Sequence, residues 1–139
     1  MDRLTKKSVD ALCYKIIGAA IEVHKHLGSG LLEKVYEKCL IHELRSRGFE
    51  VETQQSILVD YKGEMIDCEL KYDLLVENTV VVELKAITTM IPLFDAQLMS
   101  YMKLLKKPKG ILLNFHCTNI FNGGQKTFIN DFYKSLPEE

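Results

Sequence analysis

The stretch that decides the fold is residues 71–85, which read KYDLLVENTVVVELK. It contains two short apolar runs of the kind that form strands, separated by a turn-forming triplet. Three charged residues, Asp73, Glu83 and Lys85, stand within or at the edge of these runs. Because side chains alternate along a strand, Glu83 and Lys85 share one face of the second run. Two charges on one face of an otherwise apolar strand need a partner, water or a ligand.

The length of the turn between the runs decides whether Asp73 lies on that same face. A three-residue loop, 77–79, puts Asp73 directly opposite Glu83, with the two Cβ atoms ~5 Å apart. A two-residue loop would put Asp73 opposite Val82, on the other face of the sheet. Asn78 tolerates the left-handed backbone that a three-residue loop with a bulge requires, and this favours the first register.

Two carboxylates this close to each other repel, so either one keeps its proton or a cation neutralises both. All-oxygen ligation favours Mg²⁺ or Mn²⁺ over zinc. Such an ion flanked by Lys85 suits phosphodiester hydrolysis, because the metal activates water and the lysine orients that water or offsets developing charge. The alternative is a cross-strand salt bridge of Lys85 with Asp73 or Glu83 on a solvated sheet face, which predicts no metal binding.

The rest of the chain predicts the element order ααβββαβ. Apolar residues recur with helical period over the two N-terminal segments, with Ser8 and Ser29 as the expected N-caps. The expected helices are 8–27, 31–47 and 92–106, and the expected strands are 49–61, 65–76, 80–86, 110–115 and 127–129. Three sequential strands predict an antiparallel meander, to which the strand–helix–strand unit adds a parallel strand. The predicted fold class is α/β, a mixed sheet flanked by helices in a single domain over residues 1–139, with a frayed tail after Asp131.

The composition limits the classes of function. The chain has 139 residues, of which 47% are hydrophobic, and its formal net charge is −1. This near-neutral balance excludes a strongly basic nucleic-acid coat protein, so any nucleic-acid contact must be a local basic patch. No run approaches the ~20 apolar residues that span a bilayer, and we expect a cytoplasmic protein with no membrane contact. The four cysteines are widely spaced and predict buried free thiols.

Two motifs resemble a known family. Asp73 followed by Glu83-Leu84-Lys85 resembles the signature of the PD-(D/E)XK nuclease superfamily. Residues 30–36, which read GLLEKVY, resemble the motif of the GxxExxY proteins, which are small members of that superfamily. From the residues alone, we expect Gly30 to permit the turn into the second helix and Tyr36 to pack in the core.

Two further elements follow in the order that the same resemblance requires. Residues 97–101, which read QLMSY, are similar to the Q-x-x-x-Y helix of the exonuclease-like branches of the superfamily. Asn114-Phe115 after the buried strand also fits the pattern. The resemblance covers about residues 17–128. It implies a restriction-endonuclease-like αβββαβ core with an extra N-terminal helix.

The resemblance also assigns roles to single residues. It implies that Asp73 and Glu83 bind the metal, with the backbone carbonyl of Leu84 as a further ligand, and that Lys85 is the catalytic lysine. It implies that Glu33, on the second helix, is an additional or water-mediated ligand.

The same resemblance implies that Gln97 and Tyr101 face the site and position a phosphate or the lysine. Their i, i+4 spacing independently puts them on one helix face. The alternative for this pair is a position at the edge of the core, with Tyr101 packed.

The implied function is a Mg²⁺- or Mn²⁺-dependent nuclease that cleaves nucleic acid, with DNA favoured over RNA. Cleavage of both strands by one small active site would favour a homodimer. The alternative is a catalytically inactive nuclease-fold module that binds nucleic acid or a protein partner. Basic residues that could contact a phosphate backbone cluster at helix C-termini, where the helix dipole favours cations in any case. They are Arg45, Arg47, Lys103, Lys106, Lys107 and Lys109.

Overall fold

A computed structural model describes residues 3–139, so the first two residues of the predicted domain lie outside it. The helices in this range are α1 (Lys6–Leu27), α2 (Glu33–Ser46), α3 (Pro92–Leu105) and α4 (Asp131–Lys134). The strands are β1 (Val51–Thr53), β2 (Ser56–Tyr61), β3 (Glu64–Lys71), β4 (Leu74–Val76), β5 (Val80–Lys85), β6 (Lys109–Asn114) and β7 (Gln125–Ile129). None of these helices combines the length and the apolar character needed to cross a bilayer.

The central sheet has five strands in the order β1-β4-β5-β6-β7. Strands β5 and β6 are parallel, and the other neighbours in the sheet are antiparallel. The crossover between the two parallel strands is α3, which begins with Pro92 at its first turn as predicted. The mixed α/β sheet flanked by helices, consistent with a restriction-endonuclease-like fold, is therefore confirmed. Strands β2 and β3 pair only with each other and form a separate hairpin.

Each face of the sheet carries its own apolar core. Val80, Val82 and Leu84 of β5 belong to the core that also contains the buried stripes of α1 and α2. Val81 belongs to the second core, with Leu98 of α3. This alternation is the one predicted for a strand that is covered on both faces. Glu83 and Lys85 lie two and four residues after Val81, so they point to the same side of the sheet, which is the side that α3 covers.

Two of the predicted strands are wrong in extent, because each is interrupted. The segment 49–61 divides at Gln54-Gln55 into β1 and β2, and the segment 65–76 divides at Tyr72-Asp73 into β3 and β4. Gln54 has a left-handed backbone with φ 51°. Its N–H still donates to the carbonyl of Asp73 at 3.1 Å, so hydrogen bonding continues across the break while the strand geometry does not. The period-two pattern of the sequence runs through the break and so did not reveal it, although Val51 and Ile57 lie in different cores.

Both predicted N-caps are wrong. Helix α1 is capped by Thr5, and Ser8 is the third helical residue, whose hydroxyl accepts from the Thr5 N–H at 2.9 Å in a reciprocal capping box. Helix α2 is preceded by Leu32, without a side-chain cap, in place of Ser29. Helix α1 ends at Leu27, as its predicted range 8–27 requires, with Gly28 as the C-cap.

The C-terminal tail is ordered and not frayed. Helix α4 is capped by Asn130, whose side chain accepts from the Tyr133 N–H. The tail then returns to the start of α1, where the Lys6 N–H donates to the carbonyl of Pro137 at 2.8 Å. The four cysteines are free as predicted, but only Cys13 is buried. Cys39 and Cys117 are partly buried, and Cys68 is exposed like most of β3.

Candidate metal centre

The β4–β5 turn has the three-residue loop that places Asp73 opposite Glu83. Val76 pairs with Val80, and the loop residues Glu77 and Asn78 both have left-handed backbones, with φ 51° and 52°. The left-handed conformation anticipated for Asn78 is thus present. Asp73 lies immediately before β4, at the carboxyl end of its partner β5.

Reciprocal hydrogen bonds fix the two carboxylates. The Asp73 N–H donates to Oε2 of Glu83 at 2.7 Å, and the Leu84 N–H donates to Oδ2 of Asp73 at 2.9 Å. The Glu83 carboxylate therefore holds the backbone of Asp73, and the Asp73 carboxylate holds the backbone next to Glu83. This arrangement keeps both groups on one face of the sheet, as the sequence predicted.

Helix α2 brings further carboxylates to the same place. Glu33, Glu37 and Asp73 each offer a carboxylate oxygen, and these oxygens lie within 4.8 Å of one another. Glu33 was predicted here from the family resemblance. Glu37 was missed, although it follows Glu33 by one helical turn and so shares its face. Glu33, Glu37, Asp73 and Glu83 are called the acidic group below.

Burial and mutual repulsion both disfavour full ionisation of the acidic group. Burial, followed by the negative charge of Asp73, raises the pKa of Glu83 to about 8. Burial also raises the pKa of Asp73, against the opposing hydrogen bonds from the Leu84 N–H and the Gln54 amide. Burial and then the charge of Asp73 raise the pKa of Glu33. Carboxylates with these pKa shifts ionise more readily when a cation joins them.

Lys85 is the lysine at the acidic group, but it forms no ion pair there. Its Nζ lies 4.3 Å from the centroid of the Phe94 ring on α3, a cation–π distance. The ion pairs of residues 3–139 involve none of Lys85, Asp73 and Glu83 within 4.0 Å. The cross-strand salt bridge that was the structural alternative is therefore not formed.

Asn114 fixes the chain just beyond Lys85, its register partner on β6. The Asn114 side chain accepts from the N–H of Ile87 at 3.2 Å and donates to the Ile87 carbonyl at 3.0 Å. The next residue, Phe115, donates its N–H to the Lys85 carbonyl at 2.8 Å and stacks on Tyr36 with ring centroids 4.6 Å apart. The Asn114-Phe115 element thus holds the end of β5 that carries the lysine.

Tyr36 packs in the core as expected and also organises the turn before α2. It is fully buried. Its hydroxyl donates to the carbonyl of Gly28 at 2.6 Å and accepts from the Leu31 N–H at 3.1 Å. These two bonds fix the turn between the end of α1 and the start of α2.

The two site residues predicted on α3, Gln97 and Tyr101, differ in burial. Tyr101 is half-buried, and burial followed by the negative charges of Glu83 and Asp73 raises its pKa, so it lies within electrostatic range of the acidic group. Gln97 is exposed one turn earlier, and its side chain makes no hydrogen bond among residues 3–139. The structure therefore places Tyr101 near the site and leaves Gln97 on the surface at its side.

Gln54 is a second residue that the sequence did not reveal. Its Nε2 donates to Oδ1 of Asp73 at 3.2 Å and to Oε2 of Glu37 at 3.1 Å. No spacing rule marks this residue, because it lies where a continuous strand was predicted.

Most of the predicted basic patch is engaged within the protein. The contacts are Arg45 with the Val51 carbonyl, Arg47 with Glu43, Lys107 with Asn78 and Lys109 with Asp10. Lys103 and Lys106 are exposed. Because Arg47 and Lys109 are paired with carboxylates, the uncompensated positive charge at these helix ends is smaller than the sequence count implies. Arg45 and Lys107 bond to neutral oxygens and keep their net charge.

Comparison with known proteins gives one match. A family model of the PD-(D/E)XK nuclease superfamily matches residues 10–127, a span that contains the whole acidic group, Lys85 and Tyr101. The model does not resolve the GxxExxY subfamily. No curated protein and no solved structure matches the chain.

Proposed function

Because the chain belongs to the PD-(D/E)XK nuclease superfamily, we propose that it hydrolyses phosphodiester bonds of nucleic acid with the help of bound Mg²⁺ or Mn²⁺. DNA is the substrate we favour over RNA, and the assay below compares the two. The observation that carries the proposal is the acidic group itself, in which carboxylates from α2, from the residue before β4 and from β5 converge beside a lysine that pairs with none of them.

The donor set fits a hard divalent cation. Asp73 and Glu83 would hold it, together with the Leu84 carbonyl and, from α2, Glu33. All of these donors are oxygens, which suit Mg²⁺ and Mn²⁺ and not zinc. When bound, the ion would polarise a phosphate oxygen and lower the pKa of an attacking water.

The protein's own residues supply the remaining chemistry. The Lys85 ammonium lies over the Phe94 ring and is not neutralised by a carboxylate. Its positive charge can therefore stabilise the negative charge that develops on a phosphate during displacement. The Tyr101 hydroxyl, whose pKa is raised, remains a hydrogen-bond donor near the reacting group. Gln97, exposed beside it, positions the incoming phosphate.

The test is cleavage of labelled single-stranded and double-stranded DNA and RNA, with Mg²⁺, with Mn²⁺ and with chelator. We expect cleavage that requires the metal and is lost in both Asp73→Ala and Lys85→Ala. Lys62→Ala is a matched control, because Lys62 also lies over an aromatic ring, that of Tyr61, but on the exposed β2–β3 turn. Activity that survives both site substitutions would rule out the site.

The same assay separates the inactive alternative. Salt-sensitive binding of nucleic acid with no cleavage in either metal would identify a binding module in place of a nuclease. Size-exclusion chromatography with and without DNA would test the homodimer that double-strand cleavage favours.

A further inference from the structure

The acidic group is held together by a neutral side chain whose place in the fold no sequence motif marks. From its contacts we infer that Gln54 is a positioning residue of the metal centre: its amide bridges Asp73 and Glu37 and presets the spacing between the sheet and α2. This inference rests on the proposed metal-dependent function of the same site.

The contacts use both hydrogens of one nitrogen. Gln54 Nε2 is 3.2 Å from Oδ1 of Asp73 and 3.1 Å from Oε2 of Glu37, with the other Glu37 oxygen at 3.4 Å. An amide NH₂ has two hydrogens, so it can serve two carboxylates at once. The partners also fix the orientation of the amide, because the flipped orientation would point a carbonyl oxygen at two anions.

The backbone ties Gln54 to the same strand end. Its N–H donates to the carbonyl of Asp73 at 3.1 Å, so the two residues are joined by main chain and by side chain. The residue lies at the break between β1 and β2, where its φ is 51°. Through this pair of bonds, the position of the Asp73 carboxylate depends on Gln54 as well as on the Leu84 N–H.

An amide suits this place better than a cation does. Lysine or arginine between Asp73 and Glu37 would neutralise them and compete with a divalent ion for the same oxygens. A neutral donor orients the two carboxylates while their negative charge stays available to the metal. Hydrogen bonds of this kind to metal ligands typically contribute 10- to 100-fold in metal affinity or activity.

The experiment is calorimetric titration of the full-length protein with Mn²⁺, comparing wild type with Gln54→Leu, which keeps the side-chain size and loses the amide. We expect Mn²⁺ affinity to fall by about 10- to 100-fold. Gln54→Ala removes the same amide without adding an apolar side chain at an exposed position, and it should behave alike. The matched control is Gln55→Leu, because the Gln55 amide donates to the Thr53 carbonyl instead of to the acidic group.

A second readout separates positioning from a purely structural role. The rise in melting temperature that Mn²⁺ produces should shrink in both Gln54 variants and stay unchanged in Gln55→Leu, because ligand stabilisation follows the affinity. A lower melting temperature with an unaltered Mn²⁺ affinity would show that Gln54 only supports the fold, and would overturn the inference. Wild-type protein that binds no Mn²⁺ would instead overturn the proposed function, and the inference with it.

Discussion

Charged side chains lie in apolar surroundings at both ends of the parallel pair β5–β6. At one end the charges form an ion pair, and at the other end they do not. At the amino end, Lys109 is only 9% exposed and its Nζ lies 3.2 Å from Oδ1 of Asp10. The other oxygen of Asp10 accepts from the Tyr133 hydroxyl at 2.8 Å. At the carboxyl end, the acidic group lies beside the Lys85 ammonium, which forms no ion pair with it. Lys109, Asp10 and Tyr133 are called the balanced cluster below.

The difference lies in charge and not in hydrogen bonding. Among residues 3–139, no buried side-chain nitrogen or oxygen lacks a hydrogen-bond partner. Both ends are therefore satisfied as hydrogen-bond networks. One cation matches one anion in the balanced cluster, whereas the acidic group holds more carboxyl groups than cations, an excess that protonation or a bound cation must offset. We therefore expect the balanced cluster to stabilise the fold and the acidic group to bind a ligand.

The largest expected effect is on catalysis by Glu83→Gln. We expect metal-dependent cleavage to fall by more than about 100-fold, because loss of a residue that merely supports a metal ligand already costs 10- to 100-fold. Steady-state cleavage in Mg²⁺ measures it, with circular dichroism to show that the fold is retained. A variant that cleaves as fast as wild type would place the metal elsewhere.

The pH dependence of stability is the next expected effect, and it applies to the metal-free protein. The pKa of Glu83 is raised from 4.5 to about 8 in the folded state, so between these values the folded chain holds a proton that the unfolded chain has released. Raising the pH therefore favours unfolding, and the stability that this group contributes below pH 4.5 is lost progressively up to pH 8.

Urea unfolding in chelator at several pH values measures this dependence. Glu83→Gln cannot release the proton, so it should gain stability relative to wild type as the pH rises through that range. Saturating Mn²⁺ should reduce the loss in wild type, because a bound cation favours the carboxylate. Parallel profiles for wild type and Glu83→Gln would show that the group ionises normally.

The balanced cluster should show the opposite behaviour to the acidic group. Lys109→Met removes one partner of a part-buried ion pair and should lower the free energy of unfolding by about 1–2 kcal/mol, less than for a fully buried pair. The discount reflects the Asp10 side chain, which is 51% exposed. Denaturant unfolding measures the loss, and Lys7→Met, at an exposed lysine of α1, is the control.

Cleavage by Lys109→Met should stay near the wild-type rate, because the cluster lies at the far end of β5–β6 from Lys85. If Lys109→Met abolished cleavage while leaving stability unchanged, the distinction between the two ends would fail.

The sequence could predict the side of the sheet on which charge collects, because that depends on local rules. Alternation along β5 fixes the faces of Glu83 and Lys85, and the tolerance of Asn78 for a left-handed backbone fixes the register of Asp73. These predictions needed only neighbouring residues. The helix stripes that cover the sheet are equally local.

The sequence could not predict the residues that complete the site from a distance. Glu37 and Gln54 become neighbours only when α2 docks beside the break between β1 and β2, and that break leaves the period-two pattern intact. The start of α2 was mispredicted for a related reason. The buried Tyr36 hydroxyl bonds the Gly28 carbonyl and the Leu31 N–H and so fixes the α1–α2 turn, and the spacing of serines and threonines does not indicate these contacts.

The smallest expected effect tests whether a residue beside the acidic group can nevertheless be purely structural. Tyr36 lies one turn from Glu33, but its hydroxyl is satisfied by the Gly28 carbonyl and the Leu31 N–H, as in the balanced cluster. Tyr36→Phe should lower the free energy of unfolding by about 1 kcal/mol, the net value of such hydrogen bonds, and leave the cleavage rate within about threefold. Tyr14→Phe, at a side chain that is 74% exposed, is the control. If Tyr36→Phe instead lost cleavage at unchanged stability, its hydroxyl would belong to the reacting site. A polar group with all its hydrogen bonds made within the protein could then no longer be taken as purely structural in this fold.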